Sequence, residues 1–276
     1  SSLRHAAQPM YDGVDVVRVD APNACLLPLA DVGMTGLYLS TLDSLAQLAE
    51  ALNRTVLASE LRARHAAMAM SVNELLWDDA QSVYANRFLN GTFSQRISPF
   101  NFHVMLSGAA TVERVDAMVS KWLLTDEGFC LTDKSKTKSS TYTAGGGGAA
   151  AAAASASMPC RYGLPSIAHS DAAFTYQNYW RGKTWGPMNY LVYIGLDHPK
   201  YAALASVQVA KKRLANASLS LLMGEWLTNH HVCENYNAET GVGGGPRPKG
   251  GGSSSNPFYH WGGLLGYVSL IEHKLV

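Results

Sequence analysis

The sequence predicts an all-α fold in which short, glycine- and aromatic-rich helices alternate with long helices rich in Ala, Leu, Lys and Arg, the pattern of an inner ring of helices clothed by an outer one. Apolar residues recur at steps of three and four through most of the 276 residues. Successive helical stretches are joined by short links, as in antiparallel pairs. Hydrophobic residues make up 47% of the chain and charged ones only 16%, enough apolar surface for one large core. Residues 1–276 therefore read as a single domain.

In order, Met10-Tyr11-Asp12-Gly13 reads as a turn. The first helix spans about Asp31 to Leu52, with Leu37, Leu42, Leu45, Leu48, Ala49 and Leu52 on one face. A second follows from Thr55 to about Trp77, where helix formers outnumber breakers. Between Ser82 and Arg96 the helical period breaks, and Asn90-Gly91 between two aromatic-bearing runs predicts a hairpin. Ser98-Pro99 is a cap and first-turn pair opening a third helix, and Thr111 caps a fourth through V-E-R-V-D-A-M-V-S-K-W-L-L. Met188 to Leu196 forms a buried fifth, about Tyr201 to Leu227 a long amphipathic sixth, and F-Y-H-W-G-G-L-L-G-Y-V-S-L-I-E, Phe258 to Glu272, the seventh. Asn237 to Gly241 reads as a turn.

Two low-complexity inserts interrupt this plan. The composition changes at about Asp126, and residues 131–158 hold four glycines and an alanine run without an amphipathic face. Residues 241–255 are a Gly-, Pro- and Ser-rich segment of linker character. Neither contains G-x-x-x-x-G-K-[ST], so phosphate cradling is a weak reading.

Net charge of +1 and a pI near 7.7 provide no basic field to gather nucleic acid, and no apolar run reaches the length of a membrane span. Cys25, Cys130, Cys160 and Cys233 lack C-x-x-C pairing, which argues against a zinc ribbon or a dense disulfide framework. Sequons at Asn53, Asn90 and Asn216 matter only in a secretory compartment, so an endoplasmic reticulum lumen and a cytoplasmic or organellar site both stay open. His230-His231 and His260 invite a zinc reading, but adjacent histidines diverge on a helix and H-E-x-x-H is absent. No metal and no cofactor is assigned.

Candidate functional residues concentrate at Tyr176–Trp185, where Tyr176, Tyr179, Trp180, Arg181, Lys183 and Trp185 fall within ten residues, a stretch that fits a binding rim and a well-packed helix entry equally. Flat rings beside cationic donors suit a sugar, which offers apolar C–H faces and a fringe of hydroxyls. Glycoside hydrolysis also needs two carboxyl groups, one protonating the leaving oxygen and one activating water or attacking the sugar. Glu234, in C-E-N-Y-N after a long helix, is the best-placed candidate, with a surface turn as the bland reading. Asp12, Asp31, Asp78, Asp79, Asp171 and Glu239 are acidic loop residues that fit caps or solvated turns equally well. Cys233 has no basic partner in the local sequence, which argues against a thiol nucleophile.

Three motifs carry a resemblance: N-Y-W-R-G-K-T-W-G-P-M-N-Y-L-V-Y-I-G-L at Asn178–Leu196, E-N-Y-N-A-E-T-G at Glu234–Gly241, and F-Y-H-W-G-G-L-L-G at Phe258–Gly266. Together with Val72–Asp78, R-I-S-P-F-N-F at Arg96–Phe102 and L-P-S-I-A at Leu164–Ala168, they resemble the catalytic domain of glycoside hydrolase family 63, which includes mannosyl-oligosaccharide glucosidases of N-glycan trimming and mannosylglycerate hydrolases. The resemblance implies an (α/α)6 toroid and an inverting glycosidase acting on a terminal α-glucosyl or α-mannosyl linkage of an oligosaccharide or small glycoside. It places Glu234 as general base, with Tyr179, Trp180, Arg181, Trp185, Tyr236, His260 and Trp261 binding sugar. Seven helices against twelve imply that about five precede residue 1. Where the family carries its acid in S-G-x-D-N-S-P-x-x-D, this chain reads S-S-L-R-H-A-A-Q-P-M-Y-D. The acid position then holds Arg4, His5 or Ala6, and Asp12 is the remaining, weaker candidate. The alternative is therefore a non-catalytic carbohydrate-binding or structural remnant of the same fold.

Overall fold

A computed structural model describes residues 29–131, 161–244 and 255–276. The turn at 10–13, Asp12, Cys25, Cys160 and most of both inserts lie outside them. Among the described residues the helices are α1 (Val32–Ala51), α2 (Thr55–Leu75), a 3₁₀ helix (Pro99–Ser107), α3 (Val112–Met118) continued as a π turn (Val119–Leu123), α4 (Gly186–Leu196), α5 (Ala205–Asn229) and α6 (Leu264–Glu272). Four two-residue strands accompany them: β1 (Leu29–Ala30), β2 (Trp77–Asp78), β3 (Val83–Tyr84) and β4 (Arg87–Phe88). None of the described helices is long and apolar enough to cross a membrane.

The double-layer pattern is realised. Helix α1 packs on the 3₁₀ helix, the 3₁₀ helix on α4, and α4 on α6, so these apolar elements meet one another in chain order. Helix α2 packs on α1, and α5 on α4 and α6, each behind an inner element. Burial follows the layers. Most of the 3₁₀ helix is buried, including Phe102, His103, Val104 and Met105, whereas α2 buries only Ala58, Leu61 and Val72. One continuous core runs from Val32 through Phe102 and Tyr193 to Val268. At Gly36 a Cβ would overlap the His103 backbone, so the close crossing of α1 and the 3₁₀ helix requires glycine.

Local chemistry explains the boundaries. Asp31 caps α1 by accepting from Met34 N at 2.7 Å, and the Thr111 hydroxyl caps α3. Ser98 and Asn101 form a reciprocal capping box, and Asn101 Nδ2 donates to Tyr84 O at 2.7 Å. The third helix is thus where the sequence places it, but it is a nine-residue 3₁₀ helix, stopped by Gly108 at φ 71°. Confined between α1 and α4, its packing overrides the looser α period. Thr55–Leu75 ends two residues before Trp77, which turns into the pair β2–β3. Asn90-Gly91 closes the expected hairpin, with Gly91 at φ 85° and Phe88 N donating to Thr92 O. Strand β1 pairs with β4, a long-range contact without a local signal.

The edges of both low-complexity segments make contacts within the fold. Phe129 and Leu131 are fully packed in the core, so the segment from Asp126 to Leu131 belongs to the fold. Gly243 bridges Tyr236, and Ser255 is buried with its hydroxyl donating to Asn235 O.

Candidate active site

Four stretches converge over the N-termini of α4 and α6. Asn189 on α4 grips the first, accepting from Leu164 N at 2.7 Å and donating to Leu164 O at 3.0 Å. From there a ribbon of antiparallel bridges runs across the site, Pro165 to Thr184, Thr184 to Tyr236 and Tyr236 to Gly243. Gly182 N donates to Ser166 Oγ and Ala238 N to Gln177 Oε1, which tie the rim loop to both neighbours. At Gly186 a Cβ would overlap the carbonyl of Trp261, so the start of α4 and the 3₁₀ turn His260–Gly263 touch through backbone.

On this frame lies a run of rings. Trp180 stacks on Trp185 with centroids 4.2 Å apart and planes at 19°, and Tyr179 meets Trp185 edge-on at 4.8 Å. Trp185 reaches Trp261 at 5.9 Å, Trp261 meets Tyr259 at 5.1 Å, and His260 stacks on Tyr259. Phe100 extends the run beyond Trp180. The Arg181 guanidinium sits 4.3 Å from the ring centroid of Tyr176, itself 60% exposed. Gln177, Tyr179 and Phe258 hold left-handed backbone at φ 46°, 48° and 58°, each a strain of about 1–3 kcal/mol that the surrounding packing sustains.

Glu234 is buried at 7% exposure beside this rim. Its Oε2 accepts from Asn256 Nδ2 at 2.9 Å and, more weakly, from Asn256 N at 3.4 Å, and its own N–H donates to Asn256 O. Its Oε1 accepts no hydrogen bond from the described residues. Burial holds Lys183 below the usual lysine range, and the nearby Glu234 and Cys233 oppose that shift. Glu234 therefore has one oxygen fixed, the other available, and a cation close by.

The sugar-binding candidates separate by depth. Tyr179, Trp180 and Trp261 are half-buried and His260 is exposed, so their rings reach the surface. Trp185 and Tyr236 are fully buried: Trp185 Nε1 donates to Tyr179 O, and Tyr236 Oη accepts from Cys233 N at 2.9 Å. They support the rim from beneath. The other acidic candidates act locally. Asp31 and Asp171 cap helices, Asp78 accepts from Ala80 N and Gln81 N, and Asp79 accepts from Trp77 Nε1. Asp12 lies outside the described residues.

Sequence reasoning passed over Asn256, which directly follows the low-complexity segment, and left Lys183 in the rim without linking it to Glu234. It also gave Cys233 no basic partner. His231 Nδ1 lies 3.6 Å from Cys233 Sγ, and Glu225 Oε1 lies 3.5 Å from the same sulfur. Burial, followed by the charge of Glu225, pushes the Cys233 thiol up to about 12, so it is no nucleophile. A separate cavity of about 480 Å³ between α1, α2 and the hairpin, lined by Met68, Val72, Leu75 and Phe88, lies away from these groups.

The sequence matches the mannosylglycerate hydrolase MGH1-like glycoside hydrolase domain over residues 11–261. The chain belongs to this glycoside hydrolase family. No curated protein matches this MGH1-like domain in sequence. Among solved structures it is similar to the GH63 mannosylglycerate hydrolase from Thermus thermophilus in complex with glucose, with a TM-score of 0.60, 19% identity, and 87% of this chain covering 45% of that one. The same enzyme with Tris and D-glycerate matches at a TM-score of 0.60 and 18% identity over 87% of this chain and 45% of that chain. Neutral trehalase Nth1 from Saccharomyces cerevisiae matches at 0.57 and 14%, covering 91% of this chain and 38% of that one. At these identities the likeness is one of fold, an all-α toroid. The MGH1-like domain spans less than half the length of each.

Proposed function

We propose that this domain carries the general-base side of an inverting glycosidase site, acting on a terminal α-glucosyl or α-mannosyl linkage of a small glycoside or oligosaccharide. The observation that carries it is Glu234, clamped at Oε2 by Asn256, with Oε1 available and a ring platform alongside. Glu234 takes a proton from a water molecule as that water attacks the anomeric carbon. The bond to the leaving oxygen breaks on the opposite face, and a carboxylic acid there donates its proton to that oxygen. Among this chain's residues Asp12 is the candidate for that acid. Tyr179, Trp180, Trp261 and His260 hold the non-reducing sugar by its apolar face, with Arg181 buried behind them. The family membership and the glucose and D-glycerate of the similar Thermus structures support a sugar or sugar-acid substrate.

The second reading, a non-catalytic carbohydrate-binding relative, rests on the altered acid motif at residues 1–12. Glucose and mannose release from α-linked disaccharides, glycosyl glycerates and a glucosylated N-glycan separates the two. The expected result is release by the chain and a roughly 10²- to 10⁴-fold loss in Glu234→Gln. Release that Glu234→Gln leaves untouched overturns the role of Glu234. A folded chain that binds these sugars without cleaving them establishes the second reading.

A further inference from the structure

Behind the segment that bears Glu234, the end of α5 brings together three side chains that the glycosidase chemistry does not use. Glu225 comes from the last turns of α5, His231 follows the left-handed residue His230 (φ 58°) that ends the helix, and Cys233 lies two residues further on. Cys233 and Glu225 are buried, and His231 is partly exposed. The three donor atoms form a near-equilateral triangle: Cys233 Sγ to Glu225 Oε1 3.5 Å, Cys233 Sγ to His231 Nδ1 3.6 Å, and His231 Nδ1 to Glu225 Oε1 3.4 Å.

Zinc bonds of about 2.3 Å to sulfur and about 2.0–2.2 Å to nitrogen and oxygen, at tetrahedral angles, separate neighbouring donors by roughly 3.3–3.6 Å. The triangle has the edges of one face of such a tetrahedron. A catalytic Cys–His–Glu relay needs the thiol and the carboxylate on different imidazole nitrogens, whereas here both approach Nδ1. We infer that Glu225, His231 and Cys233 bind one zinc-like divalent cation, with the fourth position facing His231's solvent side. The thiolate, imidazole and single carboxylate select a borderline-soft ion over calcium or magnesium, and two anionic donors with a dication make a neutral buried centre. Outer partners orient the carboxylate: Asn229 Nδ2 donates to Oε1 at 2.8 Å and Gly243 N to Oε2 at 3.1 Å. The ion would pin the segment of Glu234 to the end of α5, a positioning role.

Cobalt(II) titration of the intact, chelator-treated chain is the test. The expected result is a sulfur-to-cobalt charge-transfer band with tetrahedral visible bands, saturating at one equivalent and displaced by zinc. The band survives Cys25→Ser and is lost in Cys233→Ser. Because Cys233 is buried and its serine variant risks misfolding, His231→Gln on the partly exposed side provides a second arm, expected to weaken cobalt binding by at least the roughly 10- to 100-fold that loss of an outer partner costs. Absence of the band at saturating cobalt, its persistence in folded Cys233→Ser, or unchanged affinity in His231→Gln overturns the inference. The first of these outcomes identifies a simple His231–Glu225 ion pair with the thiol alongside. None of these readouts depends on sugar hydrolysis.

Discussion

Glu234 and Lys183 show how few groups set the chemistry of the site. Lys183 is held low by burial, and the carboxylate nearby works to keep it charged. Asn256→Ala removes the clamp on Glu234 Oε2 and is expected to lower kcat about 10- to 100-fold with the circular dichroism unchanged. An unchanged kcat would show that Asn256 does not position the carboxylate. The rim divides labour similarly. Trp185 and Tyr236 spend their polar atoms on Tyr179 O and Cys233 N, so the rings above them stay in register. Composition marks this cluster as aromatic and cationic, but it does not distinguish a ring that faces the ligand from one that carries it.

At the scale of elements, α4, α5 and α6 are joined by one polar knot. Tyr193 Oη donates to Glu272 at 2.7 Å, while Lys211 Nζ reaches Asp197 at 2.8 Å and Glu272 at 3.3 Å. Burial alone would lower Lys211, but hydrogen bonds and charges from Asp197 and Glu272 lift it above its ordinary value. Burial raises Tyr193, and Glu272 raises it further. Both groups bind their protons more tightly folded than unfolded. Their contribution is complete below about pH 10 and is lost as pH rises through the folded values. Lys211→Met is expected to cost about 1 kcal/mol at neutral pH and to flatten the alkaline fall in the urea midpoint. A midpoint that falls as steeply in the variant would refute the linkage. The helix periods that place α1, α2, α4, α5 and α6 are visible in the sequence. The knot is not, because its members come from three elements.

Across the whole molecule, one apolar core ties α1 to α6 through the 3₁₀ helix. Phe102 is fully buried there and meets Phe129 edge-on at 5.9 Å. Phe102→Ala is expected to cost about 3–5 kcal/mol, with far-ultraviolet circular dichroism and tryptophan fluorescence losing signal in one coincident transition. Separate transitions would divide the core in two. The sequence by itself determined the all-α class, the seven helical stretches, the caps at Ser98 and Thr111, and the motifs around Trp180, Glu234 and Trp261. Periodicity, capping and motif are local, and a short window contains them. Only the tertiary structure decided that the third helix is 3₁₀, that Phe129, Leu131 and Gly243 belong to the fold, that Trp185 and Tyr236 are buried beneath the rim, that Asn256 donates to Glu234, and that Glu225, His231 and Cys233 meet. Each of those depends on which distant surface a residue faces, and that is settled when the helices pack.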